Sequence, residues 1–215
     1  MPADRGAPRH TTAPARRAPL AALTALALLG ALPGRSLAAA PVLHLGAGTG
    51  ACAQPRSPTA VVESPCWLQL ALSPAVRLGR VEAGLVYEGR DLLRLLSAGL
   101  LRPPSVTLVG GSAGLVFQPG ERWRLQAAAE GGWRRYADFG GHGVRRRAGA
   151  IDVAWLGGTA RAGFGLRPRE GRTDRLEVSL SLRRDRGTGH ATVDGVPWRA
   201  GGWSAVLAFG LISEW

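Results

Sequence analysis

The chain contains no lysine: all 27 of its basic residues are arginine, against 15 acidic ones, giving a formal net charge of +12. So complete a preference follows a G- and C-rich codon usage, and charge alone is therefore a weak guide to partners. The marks of a nucleic-acid reader are missing as well. There is no zinc-ligand spacing, no basic amphipathic helix and no arginine stripe interleaved with stacking aromatics. No nucleic-acid partner is expected. Cysteine occurs twice, at Cys52 and Cys66, and histidine four times; neither residue sits in a metal-ligand or redox motif. No metal, cofactor or catalytic set is expected. Beyond the first 40 residues no run reaches the 18 apolar residues of a membrane helix, which excludes helical spans.

What the chain does have begins with an export signal. Arg5, Arg9, Arg16 and Arg17 form a positive opening, and Leu20 to Leu32 (LAALTALALLGAL) an apolar stretch of signal length. Pro33 and Gly34 end it, and small residues at Ser36, Ala38, Ala39 and Ala40 place cleavage after Ala38. Residues 1–38 are read as a cleavable signal peptide and 39–215 as the mature domain. In an exported chain an even cysteine count points to a disulfide, Cys52 to Cys66, worth ~3 kcal/mol in the chain-entropy account.

The mature part is rich in glycine (31 in the chain) and tryptophan (7), a pairing suited to a sheet with tight turns and interfacial aromatics. A period of two recurs along it, the mark of strands. The spacing predicts eight, at 41–50, 66–73, 79–89, 105–118, 121–136, within 146–167, 175–184 and 202–215. Connections 51–65, 90–104, 137–145 and 185–201 are long. Those around Pro74–Leu78, Pro119–Gly120 and Pro168–Asp174 are short. Such alternation is that of membrane barrels, with short inner turns and long outer loops.

The alternation separates charge from apolar surface. Val81, Ala83, Leu85 and Tyr87 oppose Glu82 and Glu88. Trp123, Leu125, Ala127, Ala129 and Trp133 oppose Arg122, Arg124, Gln126 and Glu130. Leu176, Val178, Leu180 and Leu182 oppose Arg175, Glu177 and Arg183. With Arg161, the charged set Glu82, Glu88, Arg122, Arg124, Glu130, Arg161, Glu177 and Arg183 predicts an ion-pair network filling a plugged lumen, since eight strands leave room only for side chains. Phe117, Trp123 and Trp215 would form one aromatic girdle, and Tyr87, Trp133 and Trp203 the other.

The last segment puts Trp203, Ala205, Leu207, Phe209, Leu211 and Trp215 on one face and ends on an aromatic; Ser213 stands where a larger apolar residue would be expected. This resembles the C-terminal strand that outer-membrane barrels present to their insertion machinery. With the strand count, the mature chain resembles the small OmpA-type barrels. That resemblance implies an all-β, closed, antiparallel up-and-down transmembrane barrel in the outer membrane of a Gram-negative envelope. It also implies lipid and lipopolysaccharide as surroundings, and a monomer.

Two segments leave alternatives. In 146–167 the apolar set Ile151, Val153, Trp155 changes parity to Ala160, Ala162, Phe164, Leu166 across Leu156-Gly157-Gly158, which a β-bulge or a hairpin would explain; the bulge keeps eight strands. Asp91 to Arg102 (DLLRLLSAGLLR) predicts a short helix stopped by Pro103-Pro104. Arg145, Arg146 and Arg147 form a candidate outer-loop anion patch.

The function expected is that of a non-enzymatic surface scaffold serving adhesion, envelope integrity or lipopolysaccharide contact. One alternative is a lipid-modifying barrel enzyme using His44, which could meet Glu82 or Ser204. Another is a soluble exported β-sandwich or lipocalin-like binding module. Intact mass of the membrane-extracted protein should correspond to a chain starting at Ala39 with two fewer hydrogens than its dithiol form; a retained leader or two alkylatable thiols would contradict these assignments.

Overall fold

A computed structural model describes residues 39–58, 66–89, 105–139, 149–166, 171–193 and 195–215. The expected leader, the 91–102 helix and the Arg145–Arg147 patch lie outside the described residues. So does the side chain of Cys66, and with it the expected disulfide.

Ten strands are present among the described residues: β1 (Ala39–Ala51), β2 (Cys66–Leu78), β3 (Val81–Gly89), β4 (Ser105–Phe117), β5 (Trp123–Phe139), β6 (Gly149–Gly165), β7 (Thr173–Asp185), β8 (Gly189–Val193), β9 (Val196–Ala200) and β10 (Trp203–Glu214). Eight of them close into one antiparallel barrel in the order β1-β10-β7-β6-β5-β4-β3-β2, while β8 and β9 form a separate two-stranded sheet. The seam joins first strand to last, from Val42 opposite Glu214 to Ala51 opposite Ala205. Closure leaves no barrel edge unpaired, which is what permits such a sheet to sit in hydrocarbon.

The dressing of the barrel is inverted relative to a soluble protein. Leu72, Leu85, Leu115, Leu125, Leu176, Leu180 and Phe209 are exposed on its outside, whereas Glu82, Arg124, Glu130, Arg183 and other charged residues are buried. A soluble sandwich or lipocalin carries the opposite arrangement. On β5 the belt runs from Trp123 to Trp133, both about half exposed. Ten residue steps of ~3.3 Å on a strand tilted ~40° span roughly 25 Å, the height of a barrel's apolar band. Phe117, Trp123 and Trp215 are exposed at the short-turn rim, where Trp123 meets Phe164 edge to face at 5.1 Å. At the other rim Trp133 and Trp203 are exposed. Tyr87 is half-buried, in register with Val109 and, through it, Trp133.

The first short turn is Gly79–Arg80, not Pro74–Leu78, because β2 continues through Pro74. Proline's φ suits an extended strand but its nitrogen carries no hydrogen. Accordingly the β2–β3 ladder skips from Leu72/Tyr87 to Ala75/Gly84 while the register is kept.

Neither a bulge nor a hairpin interrupts 150–165, the one register shift against β5 lying opposite Gly149. β6 is one strand in unbroken register with β5 from Trp123/Phe164 to Ala137/Ala150. Ile151, Val153 and Trp155 point inward, almost fully buried, on the same side as Thr159 and Arg161; Leu156 and Phe164 point outward. The apparent parity change has another cause. Past Leu156 the outside becomes polar, with Asp152 and Arg135 exposed and 4.0 Å apart, and the inward residues of β6 become apolar. The backbone keeps its alternation while the solvent on each side changes.

The inward residues of β6 are apolar there because β8 and β9 fold over the mouth. Val193, Trp198 and Ala200 of this hairpin form a buried cluster with Tyr136, Ile151 and Val153. Gly189 permits the approach, since a Cβ there would collide with Ile151 and Val153, and Gly195, at φ 79°, takes the left-handed conformation of the tight turn. The segment after β1 joins in: Arg56 and Arg199 exchange both backbone hydrogen bonds, at 2.8 and 2.9 Å. The mouth at the long-connection end thus carries a small cap, the two-stranded hairpin with one bridged residue beside it.

The level at which the outside turns polar is testable. Arginine at Leu180, in mid-belt, should lower stability by ~2–4 kcal/mol in urea unfolding from phospholipid vesicles, whereas arginine at Asp152 should cost at most ~1 kcal/mol; equal costs would contradict the assigned level.

Candidate functional site

Inward positions of the barrel strands carry a continuous column of charge. At the short-turn end Glu214 accepts from Arg77 (3.0 Å) and Arg175 (2.5 Å), and its Oε1 lies 2.8 Å from Nε of Arg124. Arg124, with no exposed surface, also binds Glu82. Glu82 in turn accepts from Gln126 Nε2 at 2.8 Å and lies 2.9 Å from Nε2 of His44. The other imidazole nitrogen of His44, Nδ1, lies 2.7 Å from Glu177.

The column continues through Arg161, which donates to Gln126 (3.1 Å) and Glu130 (3.3 Å) and lies 3.9 Å from Glu177. Arg183 then grips two carboxylates. Its guanidinium donates to both oxygens of Glu88, at 2.7 and 2.5 Å, and to Glu130 at 3.0 and 2.8 Å, with its plane 5.2 Å from the Trp155 ring. Beneath the cap a second group follows. Arg134 donates to Asp185 (2.7 Å) and Ser204 (2.8 Å), and the Tyr136 hydroxyl donates to the other Asp185 oxygen at 2.7 Å.

Charge balances along this column. Among the described residues the cations Arg77, Arg124, Arg134, Arg161, Arg175 and Arg183 face an equal number of anions, Glu82, Glu88, Glu130, Glu177, Asp185 and Glu214, several of them shared. Such matching is what low-dielectric burial requires, because an unpaired interior charge costs several kcal/mol. Among the described residues two small cavities lie in the interior. One cavity of about 30 Å³ lies beside His44, Gln69, Ser73, Arg161, Glu177 and Ser181. A second of about 10 Å³ lies between Glu88, Arg134, Arg183 and Ser204. These volumes hold a water or two each at most, not a solute.

Seven of the eight residues expected in the network are brought together. Arg122 is not: it is exposed in the turn before β5, where its carbonyl accepts from Gly165 at 2.6 Å. The strand begins at Trp123, so the alternation that would place Arg122 inward does not extend to it. The network also includes Arg77, Arg134, Asp185 and Glu214, which the sequence pattern does not single out. Arg134 and Asp185 lie near strand ends, where the polarity of each face changes, and Arg77 lies in the segment that Pro74 marks as a turn. Glu214 shares its face with Ser204 and Ile212 and is accessible to parity alone. Ser213, out of place in an apolar series, donates to Asp174 at 2.7 Å and accepts from Arg172 at 3.0 Å at the rim, where Arg172 also lies 5.3 Å from the Trp215 ring.

His44 meets Glu82, as the enzyme alternative requires, but its second nitrogen faces Glu177 and Ser204 is held by Arg134. An acyl-transfer base needs a free nitrogen toward a nucleophile; here both nitrogens face carboxylates. Among the described residues no three His, Cys, Asp or Glu side chains are arranged to hold a metal.

A closed, eight-stranded, up-and-down barrel with an ionic interior and an apolar exterior has the fold of the small outer-membrane β-barrels. Among solved structures it is similar to Neisserial surface protein A, at 12% identity and a TM-score of 0.52, covering 81% of this chain and 95% of that one. Similarity extends to the N-terminal β-barrel domain of Pseudomonas aeruginosa OprF (15% identity, 81% and 96% coverage, TM-score 0.39). It also extends to the outer membrane protein AlkL in lipid bilayers (10% identity, 85% and 93% coverage, TM-score 0.40). No family model and no curated protein sequence matches the chain.

The Arg183 clamp lends itself to a mutant cycle. Glu88 has Arg183 as its ion-pair partner, so Arg183→Leu strands a buried carboxylate and should cost ~3–5 kcal/mol in vesicle unfolding. Adding Glu88→Leu should return much of that loss; a double variant no more stable than the single one would show that the pair is not coupled.

Proposed function

We propose that the protein is a resident of the Gram-negative outer membrane, a monomeric barrel with a plugged lumen that acts as a non-enzymatic surface scaffold. Its long connections face the exterior and its short turns the periplasm. The observation that carries the reading is the matched set of six arginines and six carboxylates filling the interior, with cavities of only about 30 and 10 Å³. A pore needs a continuous aqueous path, and an enzyme needs a free reactive group beside a substrate-sized opening.

Membrane residence is supported by the apolar belt, whose exposed leucines, phenylalanines and tryptophans exceed what a soluble monomer presents to water. Insertion would proceed through β10, which carries the alternating apolar face and terminal aromatic and closes the seam against β1. A Cys52–Cys66 disulfide would staple the first outer connection, since Cys66 pairs with Gly50, two residues before Cys52. Surface roles in adhesion, envelope integrity or lipopolysaccharide contact would then fall to the cap and loops.

Detergent-extracted protein should migrate differently on gels with and without boiling. Reconstituted in planar bilayers, it should show no steady channel conductance. Stable channels would overturn the plugged lumen, and solubility as a monomer without amphiphile would overturn membrane residence.

A further inference from the structure

The cap bears a feature unlike the interior. Arg56 and Arg199 are directly opposed and exchange both backbone hydrogen bonds, and Arg199 is opposed on its other side by His190. Directly opposed residues of antiparallel strands project from the same face, with Cβ atoms ~5 Å apart. All three side chains are exposed, while the other face of the hairpin, with Val193, Trp198 and Ala200, packs onto the barrel. A row of two guanidinium groups and an imidazole therefore lies across the outward face of the cap.

None of the three has an acidic partner among the described residues. Several other arginines of this chain are compensated: the lumenal ones as above, Arg135 with Asp152, Arg172 with Asp174, and Arg184 by stacking on Trp203 at 5.4 Å. Like charges placed directly across a ladder are destabilising. A bound anion would reverse that sign.

We propose that this row is a binding site for an anionic glycan, one bearing phosphate, sulfate or carboxylate groups. The site rests on the reading that the long connections face the exterior. Guanidinium forks bind such oxyanions in pairs, and adjacent cross-strand cations suit successive charges on an extended chain. Next along the same face lie Thr192 and Pro197, opposite one another and exposed. There the Thr192 hydroxyl can meet a sugar hydroxyl, and the Pro197 ring offers a flat surface rather than the apolar pocket that a lipid tail or a protein hot spot requires. Two sources share the chemistry: phosphorylated core sugars of the cell's own outer leaflet, and sulfated glycans of another surface.

The test uses protein extracted in zwitterionic detergent from cells expressing the full chain, with folding verified by heat-modifiable migration before binding is measured. The probes are delipidated, phosphorylated lipopolysaccharide core oligosaccharide, heparin and neutral dextran. At least one anionic glycan should bind, more weakly as salt rises, and dextran should not. The core oligosaccharide binding better would name the first source, heparin the second. Arg56→Gln with Arg199→Gln should weaken binding ~100-fold, about tenfold for each guanidinium removed. Replacing Arg145, Arg146 and Arg147 together by Gln should change it less than about threefold, since none of the three belongs to the row. Unchanged affinity in the double variant, a loss that follows the triple variant instead, or folded protein binding neither anionic glycan would each overturn the site while leaving membrane residence untouched. Protein that is monomeric without detergent would overturn both.

Discussion

Every other feature of this barrel depends on pairing charge inside a closed sheet. Six arginines and six carboxylates occupy inward positions where water is nearly absent, and each is held by at least one opposite charge. Ion pairs of this kind add little net stability over apolar packing, because desolvation offsets most of the attraction. Their value lies in exclusivity. A strand slipped by one residue would turn its charges into the belt and its leucines into the lumen, so an intact column accepts only one register. Arg183, bonded to carboxylates from β3 and β5 while itself on β7, ties walls of the barrel that share no backbone hydrogen bonds.

The same pairing fills much of the interior. Inward side chains from several strands meet across the lumen, and a small void lies beside serines and glycines of the β1, β2 and β7 walls. At the short-turn end Arg172, Ser213, Asp174 and Trp215 make a compact rim. At the long-connection end stands the cap, with the uncompensated cations of Arg56 and Arg199.

Much of the barrel is legible in the sequence because one physical rule governs most of it: charge on one parity, apolar residues on the other. β3, β5 and β7 follow that rule and disclose Glu82, Glu88, Arg124, Glu130, Glu177 and Arg183. Legibility fails where the surroundings change. In β6 the inward residues are Thr159 and Arg161 in the middle but Ile151, Val153 and Trp155 beneath the cap, and a parity rule keyed to polarity mistakes a change of medium for a change of backbone. Pro74 misleads for the opposite reason, a local turn signal overridden by the closed sheet around it. The β8–β9 hairpin hides within a long connection although Val193-Asp194-Gly195-Val196 carries a strong Asp-Gly turn signal. Its strands are only five residues each, and their apolar face becomes meaningful only once a barrel mouth exists to receive it.

The backbone bond between Arg56 and Arg199 joins the first long connection to the last, so the cap draws on opposite ends of the polypeptide. A barrel that assembles hairpin by hairpin cannot complete this lid early. Both contributors flank the seam, Arg56 following β1 and Arg199 preceding β10, so the bridge between them depends on that seam being closed. Half-assembled intermediates would lack it, and a ligand that recognises the assembled lid would discriminate finished molecules from unfinished ones.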